Sequence, residues 1–234
     1  MIFMKKKCAM EALKYIKDKS IIGLGGGSTI SYLVSYIKET GLDVEIVTPS
    51  SVTERQCIEN GLKVVPAWAV DSISVAFDGC DEIDNNLTAL KSGGGIHTKE
   101  KIIASMAEDY ILLVDESKVV EKLDFKYPVV LEIIPESIKI VEKTVKKLGG
   151  NTVMRSSSSK DGFTRSDHGL FLMDVNFNSE DVNDISVLND KLKKIVGVVD
   201  TSLFYNIATK AIVAGATLPP MTIPAQFTRT SSFP

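Results

Sequence analysis

Short apolar runs alternate with amphipathic stretches through the first half of the chain. Between runs of strand length, apolar residues recur at helical spacing, as at Ile30, Leu33, Val34 and Ile37. This alternation is typical of an α/β fold with a largely parallel sheet. The predicted strands lie at 21–24, 44–47, 64–65, 73–77 and 110–114, and the predicted helices lie near the N-terminus, after residue 28, at 51–59 and at 98–107.

From residue 127 onward the pattern changes to a β-α-β-β-α run. Strands are predicted at 129–133, 151–154 and 171–177, with a polar loop at 156–162, one helix that begins at Pro135 and another that ends near Ile195.

This change of pattern predicts two domains. We expect a three-layer α/β/α main domain with a mostly parallel sheet, formed by residues 1–126 and 199–234, plus a small α+β domain at 127–198. Runs at 198–199 and 211–213 should return to the larger sheet. The segment 219–234 holds four prolines, and we expect little regular structure there.

Composition and charge exclude several classes of protein. The 234 residues are 44% hydrophobic and 24% charged, and the net charge of −3 offers no basic field to nucleic acid or to an anionic membrane. No apolar run approaches the length of a transmembrane helix, and the N-terminus has no cleavage-site pattern. The scattered cysteines Cys8, Cys57 and Cys80 predict reduced thiols in a cytoplasmic protein. The two histidines, His97 and His168, are expected to pack or to lie at the surface.

A glycine-rich segment, GLGGGST at 23–29, follows the first predicted strand and leads into a helix. Glycines let a backbone approach an anion closely, and Ser28 and Thr29 offer further donors, so the segment fits a phosphate or carboxylate. The alternative is a tight turn in which Ser28 or Thr29 caps the helix.

An acidic segment, FDGCDEID at 77–84, follows a later strand. Its carboxylates fall at the carboxyl end of the sheet, where open α/β folds bind ligands. A solvated acidic turn or a divalent cation site are the alternatives.

A third segment, KSGGGIHTKEK at 91–101, joins a lysine, a glycine stretch and a glutamate that opens a helix. Together these residues are suited to hold an anion and to supply a base. Taken alone, Glu100 is equally explained as an ordinary acid in the first turn of a helix.

These segments, with TPSSVTERQCIENGL, VDESKVV and GVVDTSLF, occur in an order and spacing that resemble the ribose-5-phosphate isomerase A family. The resemblance spans roughly residues 5 to 215. It implies an aldose–ketose isomerase of the pentose phosphate pathway that interconverts D-ribose 5-phosphate and D-ribulose 5-phosphate. It further implies no metal and no other cofactor, and a homodimer or homotetramer.

The resemblance also implies roles for single residues. Glu100 would move the proton as base and then acid, with Asp78, Asp81 and Lys91 completing the catalytic group. A carboxylate over one face of an enediolate is able to make both transfers, and an ammonium stabilises the oxyanion. Substrate contacts are expected from Gly26, Gly27, Ser28, Thr29, Asp78, Gly79, Cys80, Asp81, Lys91, Ser92, Gly93, Gly94 and Lys118. A looser part of the resemblance adds Lys5.

Several positions depart from the family pattern. Gly26 stands where the family has threonine, Ser92 where it has glycine, and Cys80 where it has alanine. His97 takes a usually apolar position, and the turn at 166–170 differs from the family's. Trp68 is expected to pack against the main sheet or to form a subunit contact.

Two other classes of function remain open at this point. One is a related sugar-phosphate isomerase or deaminase, or a CoA transferase, on a similar fold. The other is a non-catalytic paralogue that binds sugar phosphates. The presence of Glu100 with Asp78, Asp81 and Lys91 favours an enzyme, because a binding protein needs the phosphate contacts but no base.

Overall fold

Helices and strands alternate along the chain in the computed structural model, which describes residues 2–217 and 219–225. The strands are β1 (Ser20–Leu24), β2 (Val44–Val47), β3 (Lys63–Val64), β4 (Ile73–Asp78), β5 (Glu82–Asp84), β6 (Ala89–Leu90), β7 (Ala107–Asp115), β8 (Val119–Val120), β9 (Val129–Ile133), β10 (Asn151–Met154), β11 (Ser156–Ser157), β12 (Lys160–Phe163), β13 (Phe171–Asn176), β14 (Val198–Thr201), β15 (Leu203–Phe204), β16 (Lys210–Ala214) and β17 (Met221–Pro224).

Six α-helices connect or cover these strands in the described residues. They are α1 (Ile2–Ala12), α2 (Ser28–Thr40), α3 (Ser51–Glu59), α4 (His97–Met106), α5 (Ile138–Lys147) and α6 (Ile185–Lys193). Short 3₁₀ turns occupy Leu13–Tyr15, Ala67–Ala69, Glu116–Lys118, Pro135–Ser137 and Ser179–Asp181.

The main sheet has seven strands in the order β17-β16-β7-β4-β1-β2-β3. All neighbouring pairs are parallel except β16 with β17, which is antiparallel. A parallel sheet needs cover on both faces. Helices α1, α2 and α3 supply one layer, and α4 supplies the other together with a small sheet of order β15-β6-β5-β8. The predicted α/β fold is confirmed.

The alternation of side chains along β7 divides the apolar core between the two faces of the sheet. Ile111 and Leu113 belong to the cluster under α1 and α2, whereas Leu112 and Val114 belong to the cluster under α4. This two-sided burial explains the nearly continuous apolar run in the sequence.

Helix α4 lies unusually close to the sheet because β1 has a glycine beneath it. A Cβ on Gly23 would lie 2.5 Å from Cβ of Ala76 and 2.8 Å from Cγ2 of Ile103 on α4. The missing side chain therefore sets the depth at which α4 packs, and α4 carries Glu100.

A second, antiparallel sheet of order β10-β13-β9-β14 packs against α5 and α6 and has its own apolar cluster. This unit matches the small α+β domain of the prediction, but β14 pairs with β9 within it. The expectation that residues 198–199 return to the larger sheet is therefore wrong. The domain division at 127 and 198 stays a prediction, and β14 argues for placing the second boundary after Thr201.

Three other local expectations differ from the structure. The polar loop at 156–162 is a hairpin, because β11 and β12 pair across it. In the segment 219–234, residues 221–224 form β17, since backbone pairing with β16 outweighs a proline at the end of an edge strand; the predicted irregularity of 226–234 lies outside the described residues. Trp68 is 89% exposed and does not pack against the main sheet.

The three cysteines are buried and unpaired, as expected. Within residues 2–217 and 219–225, no helix has the length and apolar character needed to cross a membrane.

We expect Gly23→Ala to lower the free energy of unfolding by about 1–3 kcal/mol, because the new methyl group overpacks the contact between β1 and α4. Denaturant unfolding of the variant measures this. The double variant Gly23→Ala/Ala76→Gly should recover part of the loss, because Cβ of Ala76 is the nearest obstacle. Unchanged stability in the single variant would contradict this account of the α4 packing.

Candidate active site

A cleft of about 660 Å³ opens where the carboxyl ends of the parallel strands meet the N-termini of α2, α3 and α4. It brings together the three segments that the sequence singled out. Of the predicted site residues, Gly26, Gly27, Ser28, Thr29, Asp78, Gly79, Cys80, Asp81, Lys91, Gly93, Gly94, Glu100 and Lys118 line it, and Ser92 does not.

The glycine-rich segment turns from β1 into α2 at the mouth of the cleft. Gly25 has no room for a side chain, because a Cβ there would lie 2.1 Å from the carboxyl group of Asp78. Gly27 caps α2 with a φ of 93°, so neither Ser28 nor Thr29 is the cap, and both hydroxyls belong to the first turn. The capping alternative is wrong, and the hydroxyls are left for other partners.

A lysine from α1 completes this end of the cleft. Nζ of Lys5 donates a hydrogen bond of 2.7 Å to Oγ of Ser28. The N-terminus of α3, with Ser50 and Ser51, lines the same region. Helix N-termini carry positive potential, so this corner is suited to an anion.

Asp78, Lys91 and Glu100 form a buried cluster on the floor of the cleft. Nζ of Lys91 lies 3.0 Å from Oδ2 of Asp78 and 3.3 Å from Oε1 of Glu100, and it also donates to the carbonyl oxygen of Gly79. Glu100 is 8% exposed. Its position in the first turn of α4 is the one predicted, but its burial against a lysine distinguishes it from an ordinary helix-opening acid.

Burial raises the pKa of Glu100 to about 8, and the nearby charge of Asp78 adds to the rise, while Lys91 opposes it. Burial also acts to lower the pKa of Lys91, but Asp78 and Glu100 outweigh it, so the pKa of Lys91 is raised. The lysine thus remains an ammonium while Glu100 is able to exchange a proton near neutral pH.

Asp81 organises the loop that follows Lys91. Its Oδ2 accepts hydrogen bonds from the backbone N–H groups of Ser92 at 2.6 Å and Gly93 at 3.0 Å. Lys118 donates to the carbonyl oxygen of Cys80 at 2.6 Å, which fixes the segment between Asp78 and Asp81. Within the described ranges, no group of three or more His, Cys, Asp or Glu side chains is placed to hold a metal ion.

Ser92 is the predicted contact that the structure places elsewhere. Its hydroxyl donates to the carbonyl oxygen of Pro128 at 2.5 Å, and its own carbonyl oxygen accepts from Arg155 at 2.8 Å. These bonds join the loop to the second sheet, so the side chain is directed away from the cleft.

The sequence reasoning missed several residues that line the cleft, Ile96 and Leu113 among them. Ser50, Ser51 and Val52 form a first group, which lines the cleft from the start of α3, and Asp167 lines it from the turn before β13. The first group follows a predicted strand and opens a predicted helix, as the glycine-rich segment does, and that parallel was the available signal. Asp167 forms an ion pair of 2.8 Å with Lys99 from a segment distant in sequence, and nothing local marked it.

His97 lies beside the cluster but is fully enclosed. It is 1% exposed, and among the described residues neither ring nitrogen has a hydrogen-bond partner, although the ring lies near the backbone of Asp200. Burial, with the nearby charge of Lys101, lowers the pKa of His97 to about 4. The expectation that His97 serves in packing is confirmed.

Comparison with known proteins gives consistent matches over most of the chain. The model of the family described as ribose 5-phosphate isomerase A (phosphoriboisomerase A) matches residues 45–217. Ribose-5-phosphate isomerase A of Methanothermobacter thermautotrophicus is 37% identical over 89% of this chain and 92% of its own length. The protein of the same name from Thermococcus kodakarensis is 37% identical over 90% of this chain and 93% of its own length.

Solved structures agree. A D-ribose-5-phosphate isomerase in complex with phospho-erythronic acid superposes with a TM-score of 0.89 at 34% identity, covering 95% of this chain and 98% of the other. Ribose 5-phosphate isomerase A from Methanocaldococcus jannaschii superposes with a TM-score of 0.87 at 32% identity, with the same coverage.

We expect His97→Leu to stabilise the protein most strongly in acid. In the wild type the pKa of His97 is 6.5 in the unfolded chain and about 4 in the folded protein. The free energy of unfolding therefore falls by about 3 kcal/mol as the pH falls from the first value to the second. The leucine variant lacks this loss. Denaturant unfolding at pH 7, 5.5 and 4.5 measures it.

The matched control for this prediction is His168→Asn, which changes a half-exposed histidine and should retain the acid-dependent loss. An equal pH dependence in His97→Leu and the wild type would show that His97 is not held neutral by its burial.

Proposed function

The chain belongs to the ribose 5-phosphate isomerase A family, and on that premise we propose that Glu100 carries the proton between C1 and C2 as it interconverts D-ribose 5-phosphate and D-ribulose 5-phosphate. The observation that carries this assignment is the burial of Glu100 at the floor of the cleft, 3.3 Å from Lys91, with a pKa of about 8. A base works best when its pKa lies near the working pH, because it must both accept and return the proton.

The charge balance of the transfer gives Lys91 its role. When Glu100 takes the proton from carbon, the carboxylate becomes neutral and the substrate becomes an enediolate. The ammonium of Lys91 already lies within 3.3 Å of Glu100, so it is placed to face the new negative charge as the old one disappears. This ammonium supplies the charge that a metal ion would otherwise supply, and we propose a reaction without metal or other cofactor.

The two aspartates support this centre from either side. Oδ2 of Asp78 lies 3.0 Å from Nζ of Lys91, and Oδ2 of Asp81 accepts hydrogen bonds from the backbone N–H groups of residues 92 and 93. In the described part of the chain, Oδ1 of Asp81 has no hydrogen-bond partner, which leaves it available to a substrate hydroxyl. We therefore assign Asp81 to substrate positioning.

The phosphate is assigned to the corner formed by Lys5, the segment 26–29 and the start of α3. Two helix N-termini and one ammonium converge there. Binding a remote dianion supplies the energy that holds the open-chain sugar over Glu100.

The alternative of a non-catalytic sugar-phosphate-binding protein is disfavoured by the same cluster. A binding protein needs the anion corner but gains nothing from two carboxylates buried on one lysine. The family match likewise disfavours a deaminase or a CoA transferase.

The resemblance to the family and the state of the cysteines support two further proposals, on assembly and on location. We propose a homodimer or homotetramer, with the 89% exposed Trp68 as a candidate subunit contact. We propose a cytoplasmic location, since Cys8, Cys57 and Cys80 are all unpaired.

Glu100→Gln should fold normally and lose most turnover. The amide keeps the size of the side chain but accepts no proton, and general acid–base groups contribute about 10²–10⁴-fold, so kcat should fall at least about a hundredfold. The assay follows ribose 5-phosphate conversion in excess EDTA, with the wild type as control. Near-normal kcat in the variant would make Glu100 a helix-opening acid, and activity in the wild type that disappears on chelation would contradict the metal-free mechanism.

Gly26→Thr should lower KM for ribose 5-phosphate. Residue 26 does not have a positive φ, and the atoms nearest to an added Cβ, in Ser50, lie 3.7 Å away, so the backbone accepts a Cβ at this position. Its hydroxyl adds one donor to the substrate corner, and a hydrogen bond to a charged group is worth about 1.5–3 kcal/mol, or roughly a tenfold or greater change in affinity.

The matched control for Gly26→Thr is Gly26→Ala, which adds the Cβ without the hydroxyl and should leave KM nearly unchanged. Gly27→Thr, one residue on, should raise KM because its φ of 93° opposes any side chain. Equal KM values in Gly26→Thr and Gly26→Ala would show that the hydroxyl makes no contact with the substrate.

A further inference from the structure

We propose that Tyr110 is a positioning residue of the active site, whose buried hydroxyl holds the Asp78 carboxylate so that the proton exchanged by the site rests on Glu100. This inference deepens the proposed function and rests on Glu100 being the base. Nothing in the sequence pattern marked Tyr110, which occupies one position in an apolar strand.

Tyr110 lies behind the cleft and does not line it. It is 1% exposed on β7, where it pairs in register with Ala76 of β4, and its ring stacks on Phe204 at 6.1 Å. Its hydroxyl donates a hydrogen bond of 3.1 Å to Oδ2 of Asp78. The hydroxyl of Tyr110 therefore reaches the cluster through its hydrogen bond to Asp78.

The two carboxyl groups of the site have different numbers of donors. Asp78 accepts from Tyr110, from Lys91 at 3.0 Å, and from the backbone N–H of Gly79 at 2.8 Å. Glu100 has the ammonium of Lys91 at 3.3 Å, and the carboxyl group of Asp78 lies close to it. Donors favour the charged form of a carboxyl group, so the negative charge belongs on Asp78 and the proton on Glu100.

The tyrosine hydroxyl is a dependable donor in this position. Burial, reinforced by the charges of Asp78 and Glu100, raises the pKa of Tyr110 well above its usual value, so the hydroxyl keeps its proton at any pH at which the protein works. Lys91 contacts both carboxyl groups, at 3.0 Å from Asp78 and 3.3 Å from Glu100. The hydrogen bond from Tyr110 goes to Asp78 and so adds to the difference between the two groups.

Other titratable groups face this centre and must be counted in any pH argument. Cys80, whose pKa burial raises to about 12, stays a neutral thiol. The groups that surround Tyr110, Asp78 and Glu100 are Cys80 and Asp81 after β4, Lys91 after β6, Lys101 and His97 on α4, and Lys118 after β7. All of them are unchanged by a substitution that removes the tyrosine hydroxyl alone.

Removal of the hydroxyl should make the pair of carboxyl groups hold its proton more tightly. The Asp78 charge would then be compensated by fewer donors and would act more strongly on Glu100, which raises the pKa of Glu100 further. A hydrogen bond to a charged group corresponds to about one pK unit or more. The base would thus be ionised only at higher pH.

The test is Tyr110→Phe, which keeps the ring and its stacking on Phe204. The acid limb of kcat/KM reports the ionisation of the free enzyme's base. We expect this limb to move upward by about one pH unit, so that kcat/KM falls by up to about tenfold below the limb and returns to the wild-type value above it. Tyr15→Phe, which removes a hydroxyl bonded to Thr222 far from the cleft, is the matched control and should leave the limb in place.

A second readout does not depend on turnover. In protein labelled with ¹³C at the glutamate carboxyl groups, the signal missing from Glu100→Gln identifies Glu100, and its titration midpoint should rise by about one unit in Tyr110→Phe. This titration tests Tyr110 even if Glu100→Gln keeps its activity and the proposed role of Glu100 fails. The proposal would be overturned if neither the acid limb of kcat/KM nor the titration midpoint of Glu100 moved in Tyr110→Phe. A fall in kcat/KM that is equal at all pH values would not change that result.

Discussion

The buried ammonium of Lys91 compensates the charge of the two carboxyl groups that lie beside it in the candidate active site. Two carboxyl groups in a site closed to water repel each other and lose their hydration, and each change is costly unless a cation compensates it. Lys91 lies 3.0 Å from one and 3.3 Å from the other. With it, the cluster carries at most one uncompensated charge, and a single proton on Glu100 makes it neutral. Burial first and the charge of Asp78 second raise the pKa of Glu100, and Lys91 limits that rise.

The backbone is shaped to let these three side chains meet. Gly25 leaves the space that the Asp78 carboxyl group occupies, and Gly23 lets α4 approach the sheet closely enough to bring Glu100 to the cleft. Both glycines lie at the end of β1, between strands that carry large apolar side chains. The glycine-rich segment thus acts in two ways. Its first glycines leave space for the cluster of Asp78, Lys91 and Glu100, and Gly27 turns the chain into α2, whose first turn lines the proposed anion corner.

Much of the fold was predictable because the apolar periods differ clearly between strands and helices. Helix α3 and strand β9 have the predicted bounds, and the glycine, aspartate and lysine–glutamate segments do meet in one cleft. Pairing partners were not predictable, and β14 and β17 show why: a short apolar run gives no information on which sheet it joins. The contact of Tyr110 was not predictable for a related reason. The apolar character of β7 does not show that one of its buried side chains donates a hydrogen bond to Asp78.

The second sheet, of order β10-β13-β9-β14, also helps to position Glu100, through Lys101, the next residue of α4. Nζ of Lys101 donates to Oδ1 of Asp200 at 2.9 Å and to the carbonyl oxygen of Thr201, both on β14. Burial lowers the pKa of Lys101 to about 8, although Asp200 opposes the shift, so the pair binds α4 to β14 in a region of low water content. Glu100 and Lys101 are consecutive residues of α4, and the backbone N–H of Lys91 donates to the carbonyl oxygen of Ser202, directly after β14, at 3.0 Å. Strand β14 and the residue after it therefore contact both the helix that carries Glu100 and the segment that carries Lys91. The position of Glu100, the proposed base, therefore depends on both sheets.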